Sequence, residues 1–319
     1  MSVLVYAESS EGKFKKVALE VTSYGKKLAE QLETNLVVLT LNAVDSSELF
    51  LYGAEKILAV NNESIKSLNP KIIANIIKQA SAKENASVVV IDSSADGLSI
   101  APLVAVYLNA GYASNVVDLP NDNSPFIVKR NAFSSKGFNF TEIKTKLKVV
   151  GLAKNSFGLR ENKVDGNIEE FSPSLIQSGV KSNSIDKSTG KVTIADADIV
   201  VSGGRGLKGP ENWGIIEDLA EVLGAATACS KPVSDMEWRP HSEHVGQTGK
   251  PVSSNLYLAI GISGAIQHLA GVNASKVKVV INIDPEAPFF KAADYGVVGD
   301  AFEVVPALTE KLKEFKSNQ

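Results

Sequence analysis

The sequence predicts an α/β protein of two parallel-sheet domains, and three observations carry that prediction. Short runs rich in leucine and β-branched residues, such as LVVLTL and SVVVID, alternate with stretches of helical spacing. A polar stretch, 161–190, rich in Ser, Asn and Lys, interrupts this rhythm before it resumes. The length, 319 residues, suits two cores better than one.

In the first half Val3–Ala7 reads as a strand. Val17, Leu19, Val21, Tyr24, Leu28 and Leu32 then recur at broadly helical spacing over Lys15–Gln31. Leu36–Leu41 is a strand covered on both faces, and Lys56–Val60 another. Pro70 opens a helix over Lys71–Ala82, Ser87–Asp92 is a strand, and Leu98–Leu108 is the helix after it. FIVKRNAF and TEIKTKLKVV, separated by SSKGFN, read as antiparallel strands that complete a domain over 1–160. The stretch 161–190 reads as an interdomain linker, with an ordered surface excursion as the alternative. Over 191–319 the expected strands are Ala197–Val201, Tyr257–Ile260, Val277–Ile283 and Phe302–Val305. The expected helices are Glu211–Leu223, Ser263–Ala270 and one opened by Pro306.

Composition narrows the function. A formal net charge of −3 argues against a general nucleic-acid binder, and no apolar run is long enough to span a bilayer. The opening MSVLVYAESS lacks a basic leader and reads at once as a strand. A single cysteine, Cys229, leaves no disulfide framework or cysteine metal cluster and suits a reducing compartment, so a cytoplasmic location is expected. His241 and His244 in PHSEH have metal-like spacing but no third strong ligand nearby, and read as a surface loop.

Polar detail concentrates at strand ends in the second half, where open α/β sheets bind ligands. In the first half, AESSEG and DSSADG could each take an anion at a helix N-terminus, with ordinary turn and capping chemistry as the plainer reading. In the second, SGGRGLKGPEN follows a strand, with Arg205 projecting from a glycine loop that departs from G-x-G-x-x-G. VGQTGK supplies Gln247 and Thr248, and YLAIG runs into SGAIQHLAG, where Ser263 is expected to cap a helix carrying Gln267 and His268. Asn282 ends one strand and Asp300 precedes the last. Such convergence suits a large, extended, phosphate-containing cofactor.

VSGGRG, Ser230-Lys231 before PVSD, VGQTGK, GISGAIQHLAG and DPEAPFFKAADYGVVGD, in this order, resemble the FAD domain of electron-transfer flavoprotein α subunits. The likeness runs from about Asp198 to the end of the sequence. The first half agrees more loosely, with an adenine-nucleotide-hydrolase-like rhythm. The resemblance implies two Rossmann-like domains, with FAD on the second. It implies that Arg205 lies near the flavin. Ser230, Val245, Gly246, Gln247 and Thr248 would contact the isoalloxazine, with Thr248 near N5. Ser263, Gly264, Ala265, Ile266, Gln267 and His268 would contact ring and phosphates, with His268 at the pyrimidine carbonyl, while Asn282 and Asp300 hold the adenosine end. Lys231 stands where the family commonly has arginine. It keeps the charge and loses the planar fork.

The resemblance further implies an electron carrier that is not an enzyme. It would take electrons from flavin dehydrogenases such as acyl-CoA dehydrogenases, as in fatty acid oxidation, and pass them to a membrane quinone oxidoreductase. It would do so as a heterodimer with a β subunit holding AMP or, in bifurcating relatives, a second FAD. A positive charge about 4 Å from the ring, at an effective dielectric near 20, amounts to about 4 kcal/mol before desolvation. The competing readings are a nucleotide-binding dehydrogenase with its own small substrate and a non-redox adenine-nucleotide sensor in the first half.

Overall fold

The computed structural model describes residues 1–65, 67–180, 182–184, 193–194 and 197–318. The chain divides into two compact units: unit 1 holds residues 1–132 and 137–185, and unit 2 holds 133–136 and 186–319. Of the expected linker, residues 181 and 185–190 lie outside the described residues.

Unit 1 contains β1 (Ser2–Ala7), a small antiparallel pair β2 (Ser9–Ser10) and β3 (Lys13–Phe14), α1 (Lys16–Gln31), β4 (Asn35–Leu41) and β5 (Lys56–Val60). It continues with α2 (Pro70–Lys83), β6 (Ala86–Asp92), α3 (Ala95–Leu108), β7 (Gly111–Val116), β8 (Ile127–Ala132), β9 (Gly137–Glu142), β10 (Lys148–Leu152) and β11 (Asn167–Glu170). The nine-stranded sheet has the order β11-β5-β4-β1-β6-β10-β7-β8-β9. Alternation along β1 explains its unbroken apolar run. Val3, Val5 and Ala7 join Tyr24 and Leu28 of α1 on one face, while Leu4 and Tyr6 join Ile73, Ile77 and Val104 of α2 and α3 on the other. Each fully buried leucine or valine of this kind contributes roughly 1.5–3 kcal/mol.

Three features depart from the sequence reading. Lys148–Leu152 does not continue an antiparallel ribbon but inserts parallel between β6 and β7, because Val149, Val150 and Leu152 bury on both faces. β7 was not expected; the left-handed cap Asn109 and a register shift near polar Ser114 and Asn115 mask its period. β11 lies inside the polar stretch 161–190 and pairs parallel with β5. There Glu169 meets Lys56 and Lys83, each at 2.8 Å, and these partners hold its carboxyl at about 2. Ion pairs, not apolar periodicity, mark that strand.

Unit 2 contains β12 (Ile199–Gly203), α4 (Gly214–Leu223), β13 (Ala226–Cys229), α5 (Lys231–Asp235), β14 (Leu256–Ile260), α6 (Ile266–Val272), β15 (Val277–Asn282), β16 (Tyr295–Val298) and α7 (Ala301–Ser317). Its five strands are all parallel, in the order β13-β12-β14-β15-β16. Ile216 and Leu219 of α4 and Val305 of α7 cover one face, while Tyr257, Phe289, Val245 and Val272 fill the other. The mixed α/β reading of the sequence is therefore borne out in both units.

The expected strand Phe302–Val305 is instead the first turns of α7. Asp300 Oδ1 accepts a hydrogen bond from Phe302 N at 3.0 Å, and this cap starts a helix where the β-branched pair suggested a strand. Pro306 lies inside that helix rather than opening it. The last strand is the exposed edge Tyr295–Val298, too short to read from pattern. Among the described residues, no helix is long and apolar enough to cross a membrane.

Candidate functional site

The order of unit 2 reverses direction at β12: the chain leaves to β13 on one side and returns to β14 on the other. Such a switch point opens a crevice beyond the carboxyl ends of the strands. A cleft of about 550 Å³ lies there. It is lined by the expected residues Arg205, Ser230, Lys231, Val245, Gly246, Gln247, Thr248, Ser263, Gly264, Ala265, Gln267, His268 and Asn282. Two expected residues fall outside it. Ile266 is 68% exposed and does not line the cleft, and Asp300 caps α7.

The lining also includes Gly206, Pro232, His244, Gly261, Ile262 and Asp284, which the sequence reading did not select. His244 corrects an expectation: His241 is exposed as a surface loop requires, but His244 is buried. The signal available was its place directly before VGQTGK, where Val245 N donates to Cys229 O at 3.0 Å and draws the chain onto the end of β13. No group of three or more His, Cys, Asp or Glu among the described residues is placed to hold a metal.

Backbone hydrogen bonds between distant loops hold this lining together. Gly204 N donates to Ile260 O at 2.8 Å, Ser230 N to Gly203 O at 3.1 Å, and Gln247 N to Gln267 O at 2.7 Å. Asn282 is used twice: its Nδ2 donates to Ile262 O at 3.0 Å, and its Oδ1 accepts from Asp284 N at 3.0 Å. The VGQTGK loop also lies tightly against α6, where a Cβ on Gly271 would come within 2.6 Å of Gly246 Cα. Ser263 does not cap the helix after it. That helix begins at Ile266 behind Ala265, no side chain caps it, and Ser263 uses its carbonyl to accept from Phe289 N at 3.0 Å.

The cleft is electrostatically mixed. Arg205 and Lys231 are exposed cations on its wall, and Asp284 is an exposed anion. Deeper, His268 is buried and its Nε2 lies 2.9 Å from Tyr257 Oη. Its Nδ1 is buried with no hydrogen-bond partner among the described residues. Burial pushes His268 down to about 4, with His244 adding to the effect and the Val245 carbonyl opposing it, so the imidazole is neutral at pH 7. His244 is lowered as well, mainly by burial. Burial likewise pushes the Cys229 thiol up to about 12, leaving it an inert core group.

A parallel sheet with a polar, partly cationic cleft at its switch point defines a nucleotide- or cofactor-binding α/β protein. Comparison with known proteins narrows that class. The electron transfer flavoprotein domain family matches residues 3–176, and the electron transfer flavoprotein FAD-binding domain family matches residues 193–273. The chain is 35% identical over 316 residues to electron transfer flavoprotein subunit alpha of Bacillus subtilis, covering 98% of this chain and 97% of that one. It is 33% identical over 324 residues to the subunit of the same name from Thermoanaerobacterium thermosaccharolyticum, covering 98% of each. It is 30% identical over 324 residues to Protein FixB of Clostridium saccharobutylicum, covering 99% of this chain and 97% of that one. The chain belongs to the electron transfer flavoprotein α-subunit family.

FAD is the cofactor of the matched C-terminal domain family, and the residues present fit it. Arg205 and Lys231 suit the negative charge of its phosphates, the loops offer hydroxyl, amide and backbone groups, and His268 Nδ1 is a buried polar atom lacking a partner among the described residues.

Proposed function

We propose that this chain carries electrons on FAD held in the unit 2 cleft, without a small-molecule substrate of its own. In this reading it takes electrons from flavin dehydrogenases, such as acyl-CoA dehydrogenases, and passes them to an acceptor such as a membrane quinone oxidoreductase. The observation that carries the reading is the position of the cleft: thirteen of fifteen residues selected from the sequence meet at the switch point of one sheet. Bound FAD supplies the redox chemistry, and the chain binds, orients and tunes it. Arg205 and Lys231 hold positive charge beside the ring and phosphates. Ser230, Gln247 and Thr248 supply hydrogen-bonding groups along one wall, and Ser263, Gly264, Ala265, Gln267 and His268 form the other. Asn282 braces that wall from behind through Ile262. Asp300 acts further away, by starting α7.

The reading places FAD on residues 191–319, an N-terminal domain on 1–160 and a connecting stretch on 161–190. Relatives named as a "subunit alpha" support a second chain, and a heterodimer with a β subunit follows. The test is co-expression with β, then extraction and quantification of the bound cofactor. A yellow heterodimer with FAD on this chain, reduced by an acyl-CoA dehydrogenase and reoxidised through a quinone oxidoreductase, is the expected result. A colourless protein that reduces NAD with a small substrate would overturn it in favour of a dehydrogenase.

A further inference from the structure

We propose that Tyr257 is a positioning residue that fixes the proton of His268 on Nδ1, so that this residue of the cleft lining stays neutral and carries a buried N–H of fixed direction. The inference deepens the proposed function and rests on reading that cleft as the FAD site. Neither residue's ring is free to turn. Tyr257 is the second residue of β14, fully buried, and stacks on Phe289 with planes 4° apart and centroids 6.4 Å apart. The His268 ring packs beside both at a tilt, 6.1 Å from the Tyr257 ring and 6.0 Å from the Phe289 ring. The 2.9 Å contact between Tyr257 Oη and His268 Nε2 is therefore built into the core, at a sequence separation of 11 residues.

The direction of that hydrogen bond follows from what each atom can do. Burial pushes the Tyr257 phenol well above its usual range, so its oxygen keeps its proton and must donate it. The Ser202 hydroxyl lies near the same phenol but makes no aligned hydrogen bond, which leaves His268 Nε2 as the acceptor. A neutral imidazole that accepts at Nε2 carries its hydrogen on Nδ1. The reverse arrangement would leave the phenolic hydrogen with only the misaligned Ser202 hydroxyl as a buried acceptor. Nδ1 is the atom with no partner among the described residues, and the Val245 carbonyl acts on the ring without an aligned bond. The groups acting on His268 are thus Tyr257, the Val245 carbonyl and His244; the last is itself buried and faces Asp235, His241 and Lys231. His268 then offers FAD a dipole with fixed polarity instead of a mobile cation, and its contribution to the flavin potential depends on a hydroxyl that never lines the cleft.

The test begins with ¹⁵N-histidine NMR on the full chain, with and without FAD, using His268→Gln to assign the signal among the three histidines. The expected result, between about pH 5 and about pH 8, is a protonated Nδ1 and an unprotonated Nε2. A protonated Nε2, or an imidazolium, in wild type would overturn the proposal whether or not any variant folds. Tyr257→Phe removes only the hydroxyl. It is expected to lower the Nδ1–H fraction and to change the reduced-to-oxidised flavin ratio at fixed ambient potential about threefold or more, with FAD content retained; about 59 mV corresponds to tenfold. An unchanged tautomer and an unchanged ratio in a folded, FAD-containing variant would reduce Tyr257 to core packing. A full chain with β that binds no FAD would overturn the proposed function, while the tautomer in that protein still decides the role of Tyr257.

Discussion

The two units differ in charge balance at the same place, the switch point of a largely parallel sheet. In unit 1 the switch point lies between β1 and β6, and three carboxylates gather there: Glu8 just after β1, Asp92 at the end of β6, and Asp96 in the first turn of α3. Burial, with Asp92 and Asp96 beside it and Lys15 opposing them, pushes Glu8 up to about 7. In unit 2 the corresponding strand ends carry Arg205, Lys231 and polar loops. The loops differ as well. DSSADG closes on itself, with Ser94 Oγ accepting from Gly97 N at 3.1 Å and Asp92 Oδ1 accepting from Ser94 N at 2.7 Å. One sheet end is therefore filled by its own caps and repels an anion, while the other stays open and attracts one. Topology places a candidate site, and side-chain charge decides whether a phosphate-bearing cofactor can use it.

Reversing that charge is the strongest way to break the comparison. Arg205→Glu with Lys231→Glu should weaken FAD binding roughly a hundredfold at low salt and less at high salt, because both side chains are exposed and screened. Fluorescence titration of flavin at several ionic strengths measures this. A loss of a few-fold that is independent of salt would show that the rim cations do not face the phosphates.

Protonation gives the next effect, with opposite sign in the two units. His268 is depressed from 6.5 to about 4, so its contribution is complete above pH 6.5 and disappears as pH falls toward 4; about 2–3 kcal/mol is expected. Glu8 is raised from 4.5 to about 7, so its contribution is complete below pH 4.5 and is lost as pH rises through 7. Urea unfolding from acid to neutral pH should show His268→Gln flattening the acid limb and Glu8→Gln flattening the neutral limb. A wild-type limb that neither variant changes would remove these groups as the cause.

Close-packed glycines separate the units at a similar or smaller scale. A Cβ at Gly271 meets Gly246 Cα at 2.6 Å, and one at Gly97 meets Asp92 O at 2.1 Å. Each alanine variant should cost about 1–3 kcal/mol through overpacking. Only Gly271→Ala should also lower FAD content, because only that contact shapes the cleft; equal FAD loss in both variants would contradict this.

The smallest effect belongs to Lys231. Lys231→Ala should lower the flavin potential by an amount equivalent to about threefold, since an exposed ammonium is screened, and Lys231→Arg should restore or raise it. Spectroelectrochemistry on the three forms decides, and identical potentials would mean that Lys231 faces solvent.

Local pattern alone determined much of this protein. The apolar runs of β1, β4, β6, β12 and β14 are legible because a strand buried on both faces must be largely apolar, whatever it packs against. Loops that join such strands to helices fall at the sheet's carboxyl edge, so VGQTGK, SGAIQH and Arg205 could be assigned to one site before any contact was known. What the tertiary structure decided has a different physical origin. β10 threads between β6 and β7 because that slot buries Val149 and Val150 completely, a gain that depends on partners about 35–60 residues away. Asp300 is a helix cap and His244 a wall of the cleft because hydrogen bonds to Phe302 and the neighbouring Val245–Cys229 bridge hold them there. Tyr257 shows the limit most plainly. In sequence it is one apolar residue in a strand, and it acquires a role only when burial leaves its hydroxyl one aligned acceptor among the described residues, His268 Nε2.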